Sequence, residues 1–294
     1  MIELFLLVLY LAWNIGGNDV ANGIGTLYGS GTVRLREALL LAAAAEVLGV
    51  LLFGAAVTET VSSALGGASG TVLTVVILVP SLWLTLASFR RMPVSATQAV
   101  VGSLIGYGLY SGLQVGGFAA LILLSWVFTP AAAFLWSFGF IRIFSRLLSR
   151  VSRRWISAFL VASSFFLVFA HGSNNAGLAT GFLSADPAVL ALTGGLGMAA
   201  GILTIGGRVV RTVGKGITFL TPVTALGTQI SSGLVIFLFS LAGIPVSTTQ
   251  VVVSSVAAAN PRKVNPFTLL RIFAYGFATF PVTAAATFLI LSAI

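Results

Sequence analysis

Ten apolar stretches, each near the length needed to cross a lipid bilayer, follow one another along this chain, close to residues 2–30, 37–59, 71–89, 94–111, 117–140, 157–182, 188–207, 217–242, 244–260 and 267–293. A spanning helix takes about 20 mostly apolar residues, so the ten stretches consume nearly the whole 294-residue sequence. What remains cannot form a water-soluble surface. Charged residues make up 7% of the chain, against about 25% in soluble domains, and the mean hydropathy is +1.09. Every backbone polar group inside lipid must be satisfied within the protein, and helices do this locally. The expected class is therefore an all-α polytopic membrane protein. The opening MIELFLLVLYLAW lacks a basic leader region and a small-residue cleavage site, so it reads as the first membrane segment. There is no cysteine, which excludes disulfides, thiolate metal sites and cysteine nucleophiles. A single histidine, His171, excludes a multi-histidine metal site within one chain.

The formal net charge of +9 could suggest a nucleic-acid partner, but the basic residues are placed as topology signals. Arg34 and Arg36 follow the first segment, Arg90 and Arg91 the third, and Arg142, Arg146, Arg150, Arg153 and Arg154 the fifth. Arg208, Arg211 and Lys215 follow the seventh, Arg262 and Lys263 the ninth, and Arg271 lies just inside the tenth. The opposite loops, 60–70, 111–116 and 183–187, contain no Lys or Arg. With both termini outside a plasma membrane, every basic residue lies on the cytoplasmic side, as the positive-inside rule requires. The basic run at 142–156 reads as a cytoplasmic linker that also fixes orientation. Glu59 and Asp186 fall in outside loops.

The chain repeats itself. GGNDVANG (16–23) matches GSNNAGLA (172–179), LLFGAAVTETV (51–61) matches LTIGGRVVRTV (203–213), and MPVSATQAVVGS (92–103) matches IPVSTTQVVVSS (244–255), at offsets of 156, 152 and 152 residues. Each half, 1–141 and 157–294, holds five segments. An odd number forces the halves to face opposite ways, which gives two inverted five-segment repeats with broken or re-entrant helices expected at the centre, a transporter signature.

Chemistry concentrates in the repeated blocks. Asn14, Asn18, Asp19 and Asn22 sit among glycines in the first segment. An acid in a membrane segment is costly and marks a functional candidate. The glycines permit either unwinding towards a ligand or close helix packing. The sixth segment carries His171, Ser173, Asn174 and Asn175, so Asn175 stands where the first half has Asp19. His171 reads as a structural hydrogen bonder or a proton-coupling group. Pro93-Val94-Ser95-Ala96-Thr97-Gln98 and Pro245-Val246-Ser247-Thr248-Thr249-Gln250 each open a segment. Proline suits a first helical turn, and free N–H groups, the positive dipole end and hydroxyls make an anion site. If both are half-helices meeting near the midplane, Ser95, Thr97, Ser247, Thr248 and Thr249 form a two-sided cradle for a tetrahedral oxyanion. The bland alternative is a pair of ordinary helix caps. Glu46, deep in the second segment, reads either as a cation or proton carrier or as the partner of a polar neighbour.

These motifs, with GGNDVANGIGTLYGSG, AHGSNNAGLATG and GGRVVRTVGKGITFLTP, resemble the inorganic phosphate transporter family over most of the chain. The resemblance implies an inverted-repeat, homodimeric symporter that couples phosphate, or in some relatives sulfate, to sodium or protons. It implies substrate contacts from Asn18, Asn174 and the two PVS-x-T blocks. It also implies that Asp19 and Asn22 line the cation site; the residues themselves add Asn175, Gln98, Gln250 and Glu46 as further cation candidates, with sodium expected at Asp19, Asn18 and Asn174. The sequence departs from the family at Asn175 and Leu178 in the second asparagine motif, at Ala96, and at Gln98 and Gln250 where histidine is common. The long hydrophilic central loop of larger members is absent. These departures bear on cation stoichiometry and anion identity.

Phosphate near neutral pH keeps a proton and benefits from an acceptor, whereas sulfate wants donors only. Asp19 therefore favours phosphate, or else a sodium ion beside the acid. The expected function is cation-coupled phosphate symport without any organic cofactor. Sulfate symport is the alternative, and an anion channel, which needs no intramembrane acid, is a more distant one. No nucleophile–base pair points to an enzyme.

Overall fold

A computed structural model describes residues 2–68, 70–114, 116–213 and 220–294. Regular structure among the described residues is entirely helical. The first half contains α1 (Ile2–Gly29), α2 (Leu35–Phe53), α3 (Ala55–Ser63), α4 (Thr71–Phe89), α5 (Ala96–Ser111) and α6 (Gly116–Leu147). The second contains α7 (Arg153–Thr180), α8 (Pro187–Gly201), a π-helical turn (Ile202–Gly206), α9 (Gly207–Val213), α10 (Pro222–Leu241), α11 (Thr248–Ala259) and α12 (Pro266–Ala293). Each sequence segment has its helical counterpart. Lys215 and the first residues of the 217–242 segment lie outside the described residues.

Among the described residues, seven helices are long and apolar enough to cross a membrane, or eight when α2 and α3, bent by 68° at Gly54, count as one span. The two helices opened by the PVS blocks are shorter. At 1.5 Å per residue, α5 is about 24 Å long and α11 about 18 Å, less than the roughly 30 Å of bilayer hydrocarbon. Residues 92–95 and 244–247, outside any regular element, precede them, and Ser95 and Ser247 at their ends are extended. Together with the bent α2–α3 pair, these stretches interrupt the otherwise spanning helices.

The breaks do not fall where the asparagines are. Helices α1 and α7 run unbroken through 14–25 and 171–180. Their glycines serve close packing instead of unwinding. A Cβ on Gly16 would collide with the backbone of Met198 in α8, and one on Gly172 with the backbone of Glu46 in α2. Gly201 meets Trp13, and Gly49 meets Phe169, in the same exchanged relation. So α1 packs on α8 as α7 packs on α2, and the inverted repeat is carried by backbone contacts. Proline inside a span is also compensated by a neighbour. Pro80 removes the N–H that would reach the Val76 carbonyl, and Ser103 Oγ of α5 donates to that oxygen at 2.8 Å.

The connection between halves is shorter than the basic run. Arg142 and Arg146 belong to α6, Arg153 and Arg154 to α7, and only a 3₁₀ turn (Leu148–Arg150) with residues 151–152 lies between. Glu59 stands in α3 and Asp186 caps α8, accepting from the Ala188 N–H. Polarity is inverted relative to a soluble protein. Val127, Phe277 and Leu270 are more than 60% exposed, while Asn18, Gln98, His171 and Asn174 are fully buried.

Candidate functional site

Ser95 and Ser247 bring the two halves together. Each caps its helix, accepting from the N–H of Gln98 or Gln250, and Ser247 Oγ donates to Ser95 Oγ at 2.9 Å. The N-termini of α5 and α11 therefore meet. Early N–H groups of a helix have no intrahelical acceptor, so both positive dipole ends point at one place inside the protein. The threonines lace the junction: Thr97 Oγ1 donates to the Val246 carbonyl at 2.7 Å and Thr249 Oγ1 to the Val94 carbonyl at 3.2 Å. These are one contact repeated by the inversion.

Asn18 and Asn174 hold the extended blocks in place. Asn18 accepts from the Val94 N–H at 3.0 Å and donates to the Met92 carbonyl and to Ser88 Oγ. Asn174 accepts from the Val246 N–H at 2.9 Å and donates to the Val246 carbonyl. A side-chain amide matches a peptide unit donor for acceptor, so each asparagine replaces a strand the blocks do not have. Orphaning each such buried group would cost about 1–3 kcal/mol. Both amides are thus occupied by backbone, and the structure places them as clamps around the junction. Nothing in the sequence pointed to Ser88 as the third partner.

The acids sit beside the junction. Thr248 Oγ1 donates to Asp19 Oδ2 at 3.2 Å, and Asn22 Nδ2 donates to Thr249 Oγ1 at 2.9 Å. Asp19 Oδ1 and Asn22 Oδ1 have no partner although they are buried. Three residues apart, they share one face of α1. Two uncompensated acceptor oxygens, one of them ionisable, form the kind of cluster a hard cation would satisfy. Asn175 lies against Asp19 and donates to Glu46 Oε1 at 3.1 Å, so it links the two acids. Among the described residues no three acidic or histidine side chains converge as a metal cage.

The inversion makes the departures legible. It carries Asp19 to Asn175, Asn22 to Leu178, Thr248 to Ala96 and Glu46 to Met198. Each symmetry-related position keeps one carboxylate, Asp19 on one side and Glu46 on the other. Gln98 has its Oε1 beside Gly276 of α12 and neither amide atom partnered. Gln250 Oε1 and both ring nitrogens of His171 are likewise buried and unpartnered.

Below Asn22 a second polar layer, absent from the motif reading, joins Thr26, Gln229 and Ser163 across α1, α10 and α7. Thr26 stands one helical turn from Asn22, which is the only sequence signal it gave. The inversion would place Phe182, Ile77 and Leu7 there, so the opposite side is apolar.

The sequence pattern of the phosphate transporter family matches residues 15–155 and, again, residues 148–287. This chain belongs to that family. One match per half reproduces the internal repeat, and a phosphate transporter family member is the polytopic membrane protein that the fold describes. A protein of Chlamydia trachomatis, provisionally named a phosphate permease, is 29% identical over 97% of this chain and 96% of its own length. The Arabidopsis thaliana protein named inorganic phosphate transporter 2-1, chloroplastic, is 28% identical over 94% of this chain and 69% of its own. A solved structure titled the sodium-dependent phosphate transporter superposes with a TM-score of 0.88, covering 100% of this chain and 99% of that one at 24% identity, which establishes the shared fold.

Proposed function

We propose that this family member carries inorganic phosphate in symport with a cation, sodium being the best match. The observation that supports it most is the pairing, inside the membrane, of an anion-attracting junction of two helix N-termini with an acid whose second oxygen lacks a partner. Phosphate would sit against the Ser95–Ser247 junction, taking N–H groups of both helices and the Ser95 hydroxyl, whose proton is not committed to another acceptor as that of Thr248 is to Asp19. Sodium would take Asp19 Oδ1 and Asn22 Oδ1. Its charge offsets the repulsion between Asp19 and the anion, which makes each ligand help the other. The junction residues are all buried, so loading from either side requires one bundle to move against the other. The names borne by the relatives and by the structural neighbour agree with phosphate and with sodium.

Binding to purified protein tests this. Linkage requires sodium to tighten phosphate binding by the same factor as phosphate tightens sodium binding. We expect roughly tenfold or more in each direction, and sulfate as a weak competitor. Phosphate affinity identical in sodium and in an equimolar large organic cation would reject sodium coupling. Tight sulfate binding with phosphate ignored would reassign the anion.

The same reading places both termini outside a plasma membrane and the chain in a homodimer. In the cysteine-free background, Ser111→Cys and Ser149→Cys put single thiols at exposed positions on opposite ends. A membrane-impermeant maleimide added to intact cells should label the first and spare the second. Labelling of both, or of Ser149→Cys alone, would overturn the orientation.

A further inference from the structure

We propose that a pocket at the arginine-bearing face, separate from the central junction, binds a phosphate group, either that of an anionic phospholipid or free phosphate. The pocket, about 450 Å³, opens between the start of α2, the α4–α5 turn and the break between α8 and α9. Arg91, Arg208 and Arg211 line it with Leu35, Leu39 and Leu203. The guanidiniums come from both halves of the chain and are exposed, and Arg208 stacks over the Phe89 ring at 5.1 Å. Guanidinium groups match phosphate oxygens in a planar, two-point fashion. Leu203 is 47% exposed, so apolar surface borders the charges as a lipid headgroup site needs.

The inverted repeat supplies an internal comparison. On the opposite face lies a pocket of about 320 Å³ lined by Leu51, Ala55, Glu59, Pro187 and Ala191. These are the repeat counterparts of Leu203, Gly207, Arg211, Leu35 and Leu39. The fold therefore makes this pocket twice and arms it once. Arg208 has Ala56 as its counterpart, Arg211 has Glu59, and Arg91 has Gly243. Gly243 has φ 70°, a left-handed conformation natural to glycine, and Arg91 adopts φ 58° at the same turn. Arg91 is the only described non-glycine residue with positive φ. Membrane topology favours basic residues anywhere on this face, but it does not ask for one at a position where the repeat itself uses glycine. A side chain kept there against backbone preference indicates a local use for its charge.

None of this depends on what the central junction carries. Full-length protein in uncharged detergent, as wild type and as the Arg91→Gly/Arg208→Gln/Arg211→Gln variant, would be titrated with phosphatidylglycerol, phosphatidylcholine and inorganic phosphate. Bound lipid is counted by native mass spectrometry and bound phosphate by equilibrium dialysis. The expected result is phosphatidylglycerol binding that falls roughly a hundredfold in the triple variant, with phosphatidylcholine weak in both. Unchanged lipid binding with loss of one bound phosphate equivalent would also support the pocket and name free phosphate as its ligand. Arg91→Gly alone, which the turn accommodates as it does Gly243, should weaken the same ligand roughly tenfold and keeps the test valid if the triple variant folds poorly. Equal binding of every probe to wild type and variants would overturn the proposal.

Discussion

Asp19→Asn is expected to abolish gradient-driven uptake while leaving a folded protein. The substitution keeps the shape of the side chain and its hydrogen bond with Thr248, because an amide oxygen accepts as a carboxylate oxygen does. What it removes is the charge on the oxygen that lacks a partner. A contact to a charged group is worth about 1.5–3 kcal/mol, so cation affinity should fall by roughly tenfold to a hundredfold. Through linkage, phosphate affinity in sodium should fall towards its sodium-free value. Sodium titrations and unfolding curves on one preparation separate the effects. A variant that folds normally and still binds sodium as wild type would remove Asp19 from the cation site.

The second large effect concerns packing. Gly201→Ala should destabilise the protein severely, whereas Gly139→Ala should stabilise it slightly. At Gly201 an added Cβ meets the Trp13 backbone, which cannot move without parting α8 from α1. Overpacking of this kind costs about 1–3 kcal/mol or more, a large part of a typical folding free energy. Gly139, in the lipid-facing part of α6, has nothing within 4 Å of the new atom, and alanine for glycine in a helix gains about 0.5–1 kcal/mol. Thermal unfolding in detergent should show shifts of opposite sign. A Gly201→Ala protein as stable as wild type would mean that α1 and α8 do not pack as described.

Much of this arrangement was legible in the sequence, because membrane constraints are strong. Apolar length gave the ten segments, and three repeated blocks gave the inversion. The serines cap α5 and α11 as the cap reading allowed, but Pro93 and Pro245 lie in the non-helical stretch before them instead of in a first helical turn, and that is why both helices are short. The asparagine-rich stretches misled about where the chain breaks. Glycine both loosens a helix and lets two helices touch, and only the partner surface, Met198 or Glu46, decides between these uses. The clamping by Asn18 and Asn174 was hidden for a related reason. Their partners are backbone groups at Val94 and Val246, which carry no sequence signature. The Thr26–Gln229–Ser163 layer was invisible because its members lie on three helices far apart in the chain. The one-sided set of arginines was visible as a topology signal, but its gathering around a pocket depends on the turn at Arg91 and the π-helical break before α9.

Coupling of phosphate to a cation is measured directly by flux. Protein reconstituted in liposomes would be given radiolabelled phosphate under a sodium gradient, a proton gradient, or neither, with and without excess sulfate. Accumulation above equilibrium is expected with the sodium gradient, with collapse when sodium is equal on both sides and little effect of sulfate. Uptake that only equilibrates phosphate, at the same rate whichever cation gradient is imposed, would contradict coupling and make the protein a passive anion pathway.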